Sequence, residues 1–168
     1  MRFKANDWLV HPQHGVGRVV KRVIKKSGQG SSQEYYEIAI TSGTVWVPVE
    51  GSPSRLRRIT PKSDLGRYRA LLRSRPTPLA TDYKQRQTTL SERLKESTFE
   101  SKCEVLRDLM AFRWKKPLNE YGRNMLRDVR QLLYTEWAAA EGLSVTEAAH
   151  EVDALLLEGK ETYRTTAG

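Results

Sequence analysis

The sequence predicts an α+β chain of two domains, a small antiparallel β module followed by a compact all-α domain of about five helices. Short extended apolar runs between turn formers fill the first part of the chain. A Gly51-Ser52-Pro53-Ser54 break follows them. From Leu65 onward the apolar residues recur at helical spacing.

Four runs read as strands: Trp8-Leu9-Val10, Gly15 to Val20, Tyr35 to Ile40, and Thr44 to Val49. Gly28-Gln29-Gly30-Ser31-Ser32 and Thr41-Ser42-Gly43 supply the turns between them. Some fifty residues suffice to close a five-stranded SH3-like or Tudor-like barrel. Gly15 and Gly17 flank Val16 where such a strand is expected to bend sharply, the usual meaning of glycine inside a strand.

Leu65, Tyr68, Leu71 and Leu72 predict a first helix, stopped by Pro76-Thr77-Pro78 because two prolines cannot continue it. Leu90 and Leu94 mark a second. Ser97-Thr98-Phe99-Glu100 has the form of a capping box opening a third, with Val105, Leu106, Leu109, Met110 and Phe112 inward. Asn119 caps a fourth, striped by Tyr121, Met125, Val129, Leu132, Leu133 and Trp137 and ended by Gly142. A second capping box, Ser144-Val145-Thr146-Glu147, opens a fifth with Ala148, Ala149, Val152, Leu155 and Leu156 on one side. The expected division is 1–60 for the β module, 65–160 for the helical domain and 161–168 for a flexible tail, with fraying after Gly159.

The chain has 168 residues and a formal charge of +9. At this size only about two-thirds of the surface is buried, and two half-size domains bury less each. Residues 1–60 carry ten cationic and four acidic groups, residues 61–130 seventeen and nine, and residues 131–168 two and seven. That asymmetry fits a polyanion-binding face on the first 130 residues with an acidic end pointing elsewhere; a solvated basic surface is the alternative. There is no apolar run of about 18 residues and no secretory leader, so a cytoplasmic protein is expected.

Catalytic chemistry finds no support. His11 and His14 have no acidic or cysteine ligand nearby in sequence, Cys103 is a lone helical thiol between Lys102 and Glu104, and phosphate-loop, nucleophile-elbow and dinucleotide motifs are missing. The expectation is no enzyme, no metal and no cofactor.

Binding features are more informative. Alternation puts Val45, Val47 and Val49 on one side of the last strand and Thr44, Trp46 and Pro48 on the other, so Trp46 faces out if the valines face the core. Either a partner protein or the protein's own helical part then covers the indole. Lys21, Arg22, Lys25 and Lys26 stand before the long hairpin turn, to guide an acidic partner or remain solvated. Thr81-Asp82-Tyr83-Lys84-Gln85-Arg86 puts a ring beside two cations at a helix start, for phosphates and bases or as a staple on its own bundle. Arg113, Lys115, Lys116 and Arg123 surround the turn into the fourth helix, whose N-terminus favours anions.

The stretch Phe3 to Gly17, with Lys4-Ala5-Asn6-Asp7-Trp8-Leu9-Val10-His11-Pro12-Gln13-His14 between them, resembles the CarD/CdnL family and the related polymerase-interacting domain of transcription-repair coupling factors. So do Tyr35-Tyr36-Glu37-Ile38, Val47-Pro48-Val49-Glu50 and Leu56-Arg57. Leu106-Arg107-Asp108-Leu109 and Met125 to Leu133 resemble the helical domain that CarD proteins carry and coupling factors lack. The resemblance spans residues 3–157.

It implies a bacterial transcription regulator, cytoplasmic and associated with the nucleoid through RNA polymerase. The implied partners are the lobe of the polymerase β subunit and promoter DNA, through its minor groove and phosphates. By resemblance, Lys25, Trp46, Val47 and Pro48 meet the polymerase, with Trp46 where relatives often carry arginine. Tyr83 stands where the family places a tryptophan wedge at the upstream edge of the transcription bubble, and Lys84, Arg86 and Arg123 match phosphate-facing positions. Gly122 replaces a glutamate usual in relatives, which implies a looser start to the fourth helix. The family's action is to stabilise the open promoter complex. Two other readings are a nucleic-acid-binding adaptor whose barrel binds RNA without acting through polymerase, and a stress protein that sequesters polymerase.

Overall fold

The computed structural model describes residues 3–26, 28–50 and 56–164. The expected Gly51-Ser52-Pro53-Ser54 break and residues 165–168 lie outside them. The chain divides into two compact units, the first ending at Ile59 and the second beginning at Thr60.

Unit 1 is an antiparallel sheet of β1 (Trp8–His11), β2 (Gly15–Lys26), β3 (Ser32–Ile40), β4 (Gly43–Pro48) and β5 (Arg57–Arg58), in the order β4-β3-β2-β1-β5. β2 and β3 run further toward their shared turn than their apolar residues suggested, because cross-strand pairing continues through polar partners as far as Lys26 and Ser32. Leu9, Val19, Ile38 and Val47 line the core with Phe3 and Tyr36. The last two meet edge to face at 5.8 Å, and the Phe3 N–H donates to the Tyr36 hydroxyl at 3.0 Å. The irregularity in β2 falls between Val19 and Lys21, not at Val16. Gly17 answers a different need, since a Cβ there would stand 2.6 Å from Ile38 Cγ2.

Unit 2 holds α1 (Leu65–Arg73), α2 (Tyr83–Leu94), α3 (Phe99–Lys115), α4 (Glu120–Glu141) and α5 (Val145–Arg164). Their buried faces close around Trp137, Leu133, Leu106, Leu109, Phe99 and Val152. The carboxylate of Glu136, itself buried, accepts from the N–H and hydroxyl of Thr60 at 3.0 and 2.8 Å, which anchors the start of the unit. Three of the expected helix ends are as read: Asn119 caps α4, Gly142 ends it at φ 78°, and Ser144 and Glu147 exchange hydrogen bonds at 3.1 Å, while Asp82 caps α2.

Three expectations are corrected. Ser97 does not open α3; its left-handed backbone (φ 52°) and its N–H to Leu94 O at 3.1 Å finish α2 instead. Thr98 is the cap of α3, accepting from Ser101 N at 3.0 Å. α5 does not fray after Gly159 but continues to Arg164, because that glycine lets the helix approach α1, where a Cβ would lie 2.9 Å from Arg73 O. Nor is α4 loosely started, since Gly122 is buried and donates to Asn119 Oδ1 at 2.9 Å, and any side chain there would crowd Leu118.

Candidate functional sites

β4 has β3 as its one hydrogen-bonded neighbour among the described residues, so it is an edge strand. The Val49 N–H donates to Glu34 O at 3.0 Å, and with Val47 opposite Tyr36 this fixes the parity of the ladder. The backbone groups of Val45, Val47 and Val49 turn toward β3, while those of Thr44, Trp46 and Pro48 turn outward. Pro48 therefore occupies a position whose missing donor would face away from the sheet, where an edge strand tolerates proline.

Trp46 points out, as alternation predicted, and is 45% exposed. Lys25 Nζ lies 4.3 Å from its ring centroid and 5.8 Å from that of Tyr35, so the site presents an indole and a cation together. Val47 differs from the other candidates on this strand: its side chain is buried and its amide faces β3, so it supports the edge without presenting itself. A second outward tryptophan, Trp8, is 42% exposed, with Arg18 at 5.6 Å from its ring centroid. Trp8-Leu9-Val10 is apolar throughout and Val10 is buried with Leu9, so no alternation in the sequence marked Trp8 as outward.

The second candidate site forms where the first turn of α2 lies beside the last turn of α3. α2 and α3 are joined by a short turn and run back to back, bringing the last turn of α3 beside the first of α2; the Arg86 guanidinium lies 4.5 Å from the Phe112 ring centroid. A hydrogen bond between the Ser91 and Tyr121 hydroxyls ties the first turn of α4 to the last turn of α2, at the other end of that helix from Tyr83. Asp82 caps α2 by accepting from Gln85 N at 3.0 Å, which makes Tyr83 the first helical residue. Its ring is 53% exposed, so it does not staple its own bundle. Lys84 in the first turn of α2, Arg113, Lys115 and Lys116 at the end of α3 and Arg123 in the first turn of α4 are exposed, although Arg123 also donates to Leu118 O at 2.8 Å.

Arg86 behaves differently from its neighbours. It turns inward and donates to Ala80 O and Thr81 O at 2.9 and 3.2 Å. A further group went unread in the sequence: Asp108, fully buried, binds Arg93 at 2.8 Å, Arg107 at 2.9 Å and the Thr77 N–H at 2.9 Å. An aspartate between Val105-Leu106 and Leu109-Met110 on an inward stripe is the signal that could have shown it, because a buried carboxylate demands partners.

The remaining candidates have structural roles. His11 Nδ1 accepts from the N–H groups of Gln13 and His14 at 3.0 and 3.2 Å and so holds the β1–β2 turn. Burial, then the adjacent His14, lowers its pKa. Among the described residues no His, Cys, Asp and Glu cluster is placed to hold a metal ion. Cys103 is buried, which pushes its thiol pKa far up and leaves it a packing residue. No described helix is long and apolar enough to cross a membrane.

Comparison with known proteins follows the same division. Residues 3–60 match the CarD-like/TRCF RID domain, and residues 68–153 match the CarD C-terminal domain. The chain is also similar to "Putative transcription factor YdeB" of Bacillus subtilis (strain 168), at 26% identity over 145 residues, covering 84% of this chain and 94% of that protein.

Proposed function

The chain belongs to the CarD family, and from this we propose that it regulates transcription by holding the RNA polymerase β-subunit lobe with unit 1 and promoter DNA with unit 2, stabilising the open complex. The β4 edge suits attachment by strand addition, in which outward backbone groups of Thr44, Trp46 and Pro48 give adhesion and side chains give choice. Trp46 with Lys25 above it makes that contact more apolar than a lone cation would.

At the other site, an aromatic wedge in the minor groove unstacks a base step at a cost of a few kcal/mol, offset by contacts to the distorted DNA. Tyr83 is the ring, and Lys84, Arg113, Lys115, Lys116 and Arg123 are the phosphate contacts, which give salt-sensitive and sequence-tolerant affinity. A wedge that fits the melted fork better than closed duplex shifts the equilibrium by the difference in binding. About 1.4 kcal/mol of difference suffices for a tenfold shift. Tethering through polymerase raises the local concentration of an otherwise weak DNA binder.

The observation that carries this reading is the half-exposed Tyr83 ring at the first position of α2, among exposed cations. Its test is a footprint of polymerase on a promoter, with and without the protein, together with the lifetime of the open complex. Added protection at the upstream edge and a longer lifetime are expected; an unchanged footprint and lifetime would reject it.

A further inference from the structure

The segment between α1 and α2 is a strap that borders an open pocket of about 270 Å³, lined by Thr77, Pro78, Leu79, Ala80, Arg86 and Arg93 among others. Leu79 packs against the helical core in the middle of the strap, and polar ties hold it on either side. At the entry, Asp108 accepts from the Thr77 N–H at 2.9 Å, while Arg107, itself held by Asp108, donates to Ser74 Oγ at 2.8 Å. At the exit, Arg86 donates to Ala80 O and Thr81 O while its guanidinium lies over Phe112. The next residue, Asp82, caps α2, and the one after it is Tyr83.

We propose that Asp108 and Arg86 are positioning residues for Tyr83, holding the strap so that the ring stands ready before DNA arrives. This rests on the wedge reading of Tyr83. A ring on an unsecured strap would have to be ordered on binding, and that entropy would be lost from the open-complex contact. Arg86 on this view does not contact phosphate; its donors serve the strap.

The experiment compares full-length Asp108→Asn, Arg86→Met and Tyr83→Ala, and each of the first two combined with Tyr83→Ala. Open-complex lifetime is measured with the cognate polymerase holoenzyme on a promoter, and thermal melting is followed in parallel. Asp108→Asn keeps shape but removes the charge that holds two arginines; Arg86→Met keeps the stem and loses both carbonyl contacts, and serves if the first variant does not fold. Each single variant is expected to shorten the lifetime by about two- to tenfold, with no further loss in the Tyr83→Ala background. Arg86→Met is expected to leave unchanged the salt dependence of binding to plain duplex, which loss of a phosphate contact would reduce.

If Tyr83→Ala shortens the lifetime and the strap variants do not, or if their losses persist in full without Tyr83, the positioning role is overturned and the wedge stands. A reduced salt slope for Arg86→Met returns that arginine to the phosphate contacts and overturns its part. If Tyr83→Ala itself leaves the lifetime unchanged, the wedge fails and the positioning role fails with it.

Discussion

A tyrosine that opens a helix with half its ring in solvent gives up burial that an inward ring would gain, and nothing in unit 2 requires that exposure for packing. Tyr83→Ala is therefore expected to leave melting temperature and polymerase affinity unchanged while shortening open-complex lifetime; an unchanged lifetime would remove the ring from the DNA contact. Trp46→Ala is expected to weaken polymerase binding by at least about 1 kcal/mol, as truncating an interface anchor does, and equilibrium binding to the isolated β lobe checks it. His11 supplies a pH signature. Its pKa is lowered in the fold, so below the ordinary value of 6.5 the unfolded chain takes up a proton first. Its contribution to stability is complete above that pH and is lost as the pH falls toward the folded-state value. The protection of the β1–β2 turn amides, taken against their intrinsic exchange rate at each pH, should fall on acidification through this window in the wild type but not in His11→Asn, whose amide oxygen can still accept. Period-two alternation made the outward Trp46 legible. Arg86 was not legible, because an arginine at a helix start looks the same whether it faces phosphate or reaches back to Ala80 O.

Among the elements, caps were easier to read than bends. Asn119 and Ser144 announce helix starts because a short acceptor side chain is the local solution for exposed amides. Asn119→Ala should cost about 1 kcal/mol of unit 2 stability in urea unfolding. It should also loosen the α4 end of the cation cluster, where Arg123 follows one turn later. At α3 two candidate caps, Ser97 and Thr98, stand side by side, and the choice went to Thr98 because Ser97 is needed to finish α2. Gly17 and Gly159 both looked like weak points in their elements. Each instead marks a close approach, to Ile38 and to the backbone of Arg73, and such contacts between distant residues leave no local trace.

At the level of the whole molecule, the proposal needs both units on one chain, since attachment to polymerase supplies the concentration that a weak DNA contact requires. A protease site inserted between Ile59 and Thr60, where unit 1 ends, tests this. After cleavage, polymerase affinity of unit 1 should persist while the effect on open-complex lifetime disappears at the same total concentration; a retained effect would show that tethering is not needed. By itself the sequence determined the α+β order of elements, most helix starts, the outward Trp46 and the gathering of cations before residue 130, because periodicity, capping and charge are properties of neighbours along the chain. Only the tertiary structure decided that Tyr83 is exposed and that Asp108 and Arg86 tie down the strap before it. Those outcomes depend on which buried groups need partners and where space remains once the helices have packed, and residues as far as 33 positions apart settle them together.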